Sequence, residues 1–272
     1  MALLRSFGAG ASVARAALGW IRRDPTYVAV LERTNFHGRT VSLAGGPALA
    51  LGATVGATAG APSPRVAAAA LTAGVVSGSV GLYDDIAGNQ PAQKAAKGFA
   101  GHLGALREGR VTSGLVKIAG VGAAGLIASS LIGSKRTSLL GRTTDVVLGA
   151  GVIAGMANFV NLLDLRPGRA IKAGFAIGVP VGGGVAAGTL GAATALLPED
   201  LGEEIMLGDA GANAMGALLG VALTSRTGMG GRFVALAALA ALTAASEKVS
   251  YTKVIQDTPW LRKVDELGRR PA

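Results

Sequence analysis

Long apolar stretches separated by short polar ones dominate this chain. No Asp, Glu, Lys or Arg occurs in the stretches 43–61, 66–83, 146–163, 173–198, 210–225 and 233–246. Several of them approach the roughly 17–25 residues that a helix needs to cross a bilayer. Polar and apolar residues do not alternate within them, so the pattern does not favour a β-barrel. It predicts an all-α, polytopic integral membrane protein in which residues 1–272 form a single transmembrane domain.

The number of crossings depends on two ambiguous segments. The uncharged run 173–198 is too long for one crossing and contains Pro180 and three glycines at 182–184, which predicts two short crossings. Residues 2–20 are apolar but include two arginines, so they form either a weak first span or an interfacial helix. We therefore expect eight transmembrane helices, or nine if the N-terminus spans. The basic tail 248–272 is predicted to be a cytoplasmic, amphipathic segment at the membrane surface.

The amino-acid composition limits the kinds of functional site and partner that the chain can have. The chain has 43 glycines and only 15% charged residues, with a net charge of +10. Glycine and alanine let helix backbones approach closely in lipid. There is no cysteine, and His37 and His102 are the only histidines, so a zinc site is not favoured. The basic residues lie beside apolar runs, which indicates membrane lipids and phosphate-bearing substrates as partners, and no nucleic acid.

The distribution of basic residues predicts the orientation. The segments 21–43, 84–117, 164–172 and 248–272 contain 18 Lys and Arg, whereas the opposite loops contain six. The positive-inside rule places the first set in the cytoplasm of a multi-pass protein of the cell membrane. The same alternation brings Asp84-Asp85, Asp164 and Asp209 to the cytoplasmic face.

Polar residues at the ends of these spans are the candidate site. Asn158 and Asn161 share a helix face, and the basic residues that follow suit phosphate oxygens. The predicted substrate-binding residues are Lys94, Lys97, Asn158, Asn161, Asp164, Arg166, Arg169 and Lys172. The arginines and lysines also fit a simpler interpretation, in which they lie among lipid headgroups. The acidic residues of segment 199–204 are expected to form a solvated turn.

Carboxylates that converge on one membrane face suggest a hard divalent cation. Mg²⁺ prefers oxygen ligands and is commonly held by one or two carboxylates together with substrate phosphates. The three clusters Asp84-Asp85, Asp164 and Asp209 could therefore hold such a cation, Mg²⁺ or Mn²⁺. The sequence contains no Walker-type phosphate-binding loop.

Three motifs, in order, resemble the polyprenyl-phosphate sugar-1-phosphate transferases of bacterial envelopes, which include phospho-N-acetylmuramoyl-pentapeptide transferase. The segment 81–85 (Gly-Leu-Tyr-Asp-Asp) looks like the family's paired aspartates. The segment 158–164 looks like its Asn-x-x-Asn-x-x-Asp motif, and 206–211 looks like its Met-Gly-Asp-x-Gly motif. The segment 35–39 (Asn-Phe-His-Gly-Arg), together with Gly45-Gly46, resembles the family's entry loop. The resemblance covers about residues 33–270.

The resemblance implies a Mg²⁺-dependent glycosyl-1-phosphate transferase of cell-envelope glycan biosynthesis. A sugar-1-phosphate would pass from a UDP-sugar to polyprenyl phosphate, with release of UMP. By analogy Asp84, Asp85 and Asp209 are the catalytic residues and metal ligands. Asp209 is the best metal ligand, whereas Asp84 and Asp85 would lie near the acceptor phosphate, where one of them would act as a base. Relatives are often dimers, so a homodimer is a further implication of the resemblance.

The sequence departs from the family at three points. The second motif continues as Leu165-Arg166-Pro167-Gly168, where the family usually has Gly-Leu-Asp-Gly. The third motif has alanines at 210 and 212, where the family has hydroxyl residues, and the family's histidine-rich cytoplasmic loop is missing. These departures indicate a shortened, divergent branch. They support a second hypothesis, a homologue that binds lipid-linked intermediates or scaffolds envelope-synthesis proteins. A transporter is a third reading, based on the broken segment near Pro180.

Overall fold

Helices make up nearly all of the structure, a computed structural model that describes residues 1–88, 90 and 98–270. The helices of these residues are α1 (Ala2–Ile21), α2 (Pro25–Leu31), α3 (Gly45–Ala59), α4 (Pro64–Ala87), α5 (Gly98–Arg107), α6 (Ser113–Ile132), α7 (Leu139–Leu163), α8 (Arg169–Val181), α9 (Gly183–Leu201), α10 (Gly208–Arg226), α11 (Met229–Ser246), α12 (Tyr251–Asp257) and α13 (Pro259–Glu266). The predicted all-α class is confirmed.

A small hairpin is the exception to the helical fold. Strands β1 (Glu32–Thr34) and β2 (Thr40–Ser42) pair antiparallel, with Arg33 opposite Val41. Backbone hydrogen bonds from β2 to Glu204 and Met206 attach the hairpin to the segment before α10. The hairpin therefore lies at the end of the bundle where α10 begins.

Local sequence explains where the long helices begin and break. Hydroxyls of Ser63, Thr112 and Ser138 accept backbone N–H groups at the first turns of α4, α6 and α7. The run 173–198 divides as predicted, because Gly182 and Gly183 both adopt positive φ angles between α8 and α9.

The central helix of the bundle is α10. Nearly all of its residues from 210 to 222 are buried, and it packs against α3, α4 and α7, with smaller contacts to α6, α8 and α9. Its small side chains let these neighbours approach closely. The N-terminal α1 also belongs to the bundle, because it packs along α3 and α9 and buries Ala14 and Leu18.

Successive long helices run in alternating directions, so the bundle has two ends. We call the end where α4 finishes and α10 starts the carboxylate end, because Asp85 there contacts Asp209. At the opposite end, Arg232 of α11 forms a buried ion pair of 3.0 Å with Asp145 of α7 and donates to the carbonyl of Thr224 in α10.

Within the described residues, four helices are long and apolar enough to cross a membrane: α4, α6, α7 and α11. They expose large apolar side chains such as Ile127 and Phe233, 50% and 62% exposed, which is compatible with insertion into lipid. Four of the predicted spans thus have the length and apolar composition of membrane-crossing helices, whereas the predicted total of eight or nine stays a prediction.

Candidate functional site at the carboxylate end

Asp85 connects the first candidate motif to the third. Its Oδ1 accepts the backbone N–H of Asp209, and its Oδ2 accepts that of Ala210, both at 2.9 Å. The first N–H groups of a helix have no partner within the helix and carry a partial positive charge, so a carboxylate is favourable there. Both oxygens of Asp85 are therefore engaged in holding the start of α10 against the end of α4.

Gly81 allows α4 and α10 to approach this closely. A Cβ atom at position 81 would lie 2.3 Å from the carbonyl oxygen of Asp209. Any larger residue would force the two helices apart. The glycine of the Gly-Leu-Tyr-Asp-Asp segment thus sets the distance between Asp84 and Asp209.

Lys117 lies between the other two carboxylates. Its Nζ is 2.6 Å from Oδ2 of Asp84 and 2.5 Å from Oδ2 of Asp209. The Ser113 side chain also hydrogen-bonds to Asp84. Both Lys117 and Ser113 belong to the first turns of α6, so this helix completes a cluster that α4 and α10 begin. We call Asp84, Asp85, Lys117 and Asp209 the carboxylate–lysine cluster.

Sequence reasoning missed Lys117. It was counted only among the basic residues of segment 84–117. A sharper signal was available, because Lys117 stands alone near the start of an otherwise uncharged run that ends at residue 134. An isolated charge inside a membrane-length helix is a functional candidate in its own right.

Asp164 lies beside the cluster and directly follows α7. The backbone N–H of Gly208 donates to its carboxylate, whereas its buried Oδ2 has no hydrogen-bond partner in the described part of the chain. Burial raises the pKa of Asp164 well above its usual value, and the negative charges of Asp200, Asp85 and Asp209 raise it further. The second motif therefore meets the first and third, as the sequence predicted.

A cavity of about 50 Å³ opens next to Asp164. Its lining includes Phe36, Asp164, Arg166, Asp200 and Glu203. The guanidinium carbon of Arg166 lies 3.9 Å from the centre of the Phe36 ring, a distance at which a cation is attracted to the face of an aromatic ring. The cavity thus combines an aromatic–cation pair with buried carboxylates.

The expected solvated acidic turn is only partly solvated. Asp200 and Glu203 are 3% and 6% exposed, which corrects the prediction for these two residues. Asp200 accepts the backbone N–H of Gly168 at 2.8 Å, and this bond fixes the turn after Asp164. The pattern of hydrophobic residues could not reveal the burial of Asp200, because its hydrogen-bond partner, Gly168, is 32 positions away in the sequence.

Glu203 anchors the hairpin over the cavity. His37 Nδ1 lies 3.0 Å from its Oε1, Arg39 forms an ion pair with it at 3.3 Å, and Asn35 donates to its Oε2. Burial raises the pKa of Glu203, but the hydrogen bonds from His37 and Asn35 and the charge of Arg39 outweigh burial and hold it below its usual value. Glu203 also has a φ of 57°, unusual for a residue with a side chain, so these contacts hold a strained backbone in place.

The other predicted substrate-binding residues lie in different surroundings. Asn158 donates to the hydroxyl of Thr243 at 3.1 Å and so contacts α11. Asn161 is half-buried one turn before Asp164. Arg169 and Lys172 bind the C-terminal segment and are described below. Lys94 and Lys97 lie outside the described residues.

The carboxylates offer the oxygen donors that Mg²⁺ prefers. Within the described residues, no three Asp, Glu or His side chains are grouped as a ready-made metal site. Asp84 and Asp209 nevertheless direct one oxygen each at the same cation, the Lys117 ammonium. Two carboxylates are enough when substrate phosphates complete the coordination of Mg²⁺, so the donor set fits this ion.

The fold and the site define an all-α protein with helices suited to a membrane and a half-buried carboxylate–lysine cluster at one end of its bundle. The sequence matches no protein-family model and no curated protein.

Proposed function

We propose that this protein transfers a sugar-1-phosphate from a UDP-sugar to polyprenyl phosphate at the cytoplasmic face of the cell membrane. The single observation that carries the proposal is the meeting of Asp84, Asp209 and Lys117 at one end of the bundle. Paired carboxylates beside a lysine suit the transfer of a phosphoryl group, in which positioning and charge neutralisation do most of the catalytic work.

The proposed membrane topology follows from the alternating directions of the long helices. We infer that α1, α3, α4 and α6 to α11 each cross the bilayer, which gives nine crossings. The carboxylate end then faces the cytoplasm, because the segments assigned to that side contain 18 of the 26 Lys and Arg residues. In this arrangement the cluster lies where a lipid phosphate and a soluble nucleotide sugar meet.

The reaction forms one phosphoanhydride bond and breaks another. An oxygen of the polyprenyl phosphate attacks the β-phosphorus of the UDP-sugar, and the bond from that phosphorus to the bridging oxygen breaks, so that UMP leaves. The acceptor phosphate is already largely ionised near neutral pH, so the attack does not require a general base.

Each group of the cluster has a proposed role. Asp84 and Asp209 would hold Mg²⁺, which when bound neutralises charge on the donor pyrophosphate. Lys117 would release its contacts with these carboxylates and bind phosphate oxygens. Asp85 positions Asp209 by binding the start of α10. The cavity between Phe36 and Asp164 would receive part of the UDP-sugar.

The test is release of UMP by the purified protein with polyprenyl phosphate, Mg²⁺ and a panel of UDP-sugars. We expect release that depends on the metal and is lost in Asp209→Asn. Asp257→Asn is the matched control, because Asp257 is an exposed carboxylate outside the cluster. Release that is equal in Asp209→Asn and in the unchanged protein would overturn the assignment.

A second candidate function rests on Lys117 itself. Its ammonium already contacts both carboxylates, which suits a protein that binds a lipid-linked phosphate without turnover. Under this proposal, polyprenyl phosphate binds with no UMP release from any donor, and Lys117→Met abolishes that binding. Metal-dependent turnover would rule it out.

A further inference from the structure

The short helix α13 has one face on the bundle and another facing outward. Asp265 is 6% exposed and points to α8, whereas Trp260, Val264 and Leu267 are each more than half exposed. The spacing of Trp260 and Val264 places them on one side of the helix, and Leu267 directly follows the last helical residue, Glu266. α13 therefore presents an apolar stripe that no described residue covers.

Basic residues flank this stripe. Arg262 and Lys263 of α13 are exposed, as are Lys253 of α12 and Arg270 after α13. A helix with an aromatic and aliphatic face beside lysines and arginines is the type that lies in a membrane interface and prefers anionic lipids. Its position fits that partner, because α13 contacts Arg169, the residue at which the apolar helix α8 begins.

The inner face of α13 is held by a group that we call the Asp265 cluster: Arg169, Lys172, Asp265 and Arg269. Arg169 donates to both carboxylate oxygens of Asp265, at 2.8 and 2.9 Å, and Arg269 donates to Oδ1 at 2.6 Å. The Lys172 ammonium donates to the carbonyls of Asp265 and Leu267, both at 2.7 Å. Burial raises the pKa of Asp265, but the bonds and charges of the two arginines outweigh burial and lower it. Two of these residues, Arg169 and Lys172, are ones that the sequence suggested for substrate.

The Asp265 cluster continues into the segment after Asp164. Arg269 Nε donates to the carbonyl of Pro167 at 2.9 Å, and the next residue, Gly168, donates to buried Asp200. Segment 164–169 is therefore held between the C-terminal helix and the cavity that contains Asp164. A change in the position of α13 would reach this segment directly, through the bonds of Asp265 with Arg169 and of Arg269 with Pro167.

We propose that the outer face of α13 binds an anionic lipid surface and that this binding stabilises segment 164–169 through the Asp265 cluster. The partner is identified by its chemistry: an apolar interior for Trp260, Val264 and Leu267, and negative headgroups for Arg262 and Lys263. The proposal does not depend on the transferase assignment, because it concerns a surface outside the carboxylate–lysine cluster.

The lipid contact can be tested with Trp260 as the reporter. The chain has two tryptophans, so Trp20→Phe leaves Trp260 alone. This full-length protein is placed in nanodiscs of phosphatidylcholine, with or without phosphatidylglycerol, whose acyl chains carry bromine near the headgroup. We expect bromine to quench Trp260 fluorescence, and more strongly in the anionic discs.

Charge variants decide which lipid property matters. Each basic residue near an anionic surface favours binding by about fivefold. R262E/K263E should therefore lose the extra quenching in anionic discs, whereas K135E/R136E, an equal charge change between α6 and α7, should keep it. Absence of bromine quenching, or equal quenching in both charge variants, would overturn the lipid contact.

Hydrogen exchange tests the connection to the site. We expect the backbone amides of 164–169 to exchange more slowly in anionic than in neutral discs, and this difference should disappear in R262E/K263E. Equal exchange in both discs, despite lipid-dependent quenching of Trp260, would show that α13 is only an anchor and would overturn the coupling.

Discussion

Asp85 accepts two backbone N–H groups in the first turn of α10, those of Asp209 and Ala210, each at 2.9 Å. This contact joins residues that are 124 positions apart and places Asp209 next to Asp84. Removing a capping carboxylate costs about 0.5–2 kcal/mol. We expect Asp85→Ala to lower the free energy of unfolding by at least this much and to reduce UMP release through displacement of Asp209. Thermal unfolding in detergent and the UMP assay measure the two effects.

Asp24 provides the control for that prediction. Its Oδ1 caps α2 by accepting the Thr26 N–H at 2.8 Å, away from the cluster. Asp24→Ala should show a similar kind of local stability loss with little effect on UMP release. An equal loss of activity in both variants would contradict a positioning role for Asp85.

Gly81→Ala should separate α4 from α10. The added methyl group would meet the Asp209 carbonyl at 2.3 Å, and overpacking of this kind costs about 1–3 kcal/mol. Gly122→Ala is the matched control on α6, because nothing lies within 4 Å of a Cβ there and alanine favours a helix. We expect a lower melting temperature and weaker activity for Gly81→Ala alone. Similar melting temperatures for the two variants would show that the close approach is unimportant.

Lys117→Met should leave two neighbouring carboxylates without a cation. Removing one partner of a fully buried charge pair costs about 3–5 kcal/mol, and these half-buried groups should lose part of that amount. Because Mg²⁺ can replace the lost positive charge, we expect it to restore part of the stability of Lys117→Met and to stabilise the unchanged protein less. Melting temperatures with Mg²⁺ or with EDTA measure this. No response of the variant to Mg²⁺ would argue against the metal role of Asp84 and Asp209.

The raised pKa of Asp164 predicts a pH effect. A carboxyl group whose pKa is raised by folding makes its full contribution to stability at a pH below its pKa in the unfolded chain, which is near 3.8. That contribution is lost as the pH rises through the pKa of the group in the folded protein. Asp164→Asn resembles the protonated form. Its melting temperature should therefore exceed that of the unchanged protein by a margin that grows with pH, whereas Asp257→Asn should show no such trend. A constant margin across the pH range would contradict the prediction.

The sequence by itself determined the helical class, the break at Gly182 and the acidic motifs. These features follow from local physics: apolar runs of membrane length, glycines that adopt positive φ, and carboxylates that are costly inside such runs. It also indicated that Asp84, Asp164 and Asp209 share one end of the protein, because alternating spans return to the same face.

Tertiary structure alone decided which of these groups touch. Asp85 caps α10, Lys117 joins Asp84 to Asp209, and Arg169 binds Asp265 and not the cavity. Lys117 and Asp84 are 33 positions apart, and the other contacts link residues 92 to 125 positions apart. A lysine near an apolar helix looks the same in sequence whether it faces lipid headgroups or a carboxylate. The packing of the helices around α10 determines which side chains meet, because it fixes their rotation and their separation.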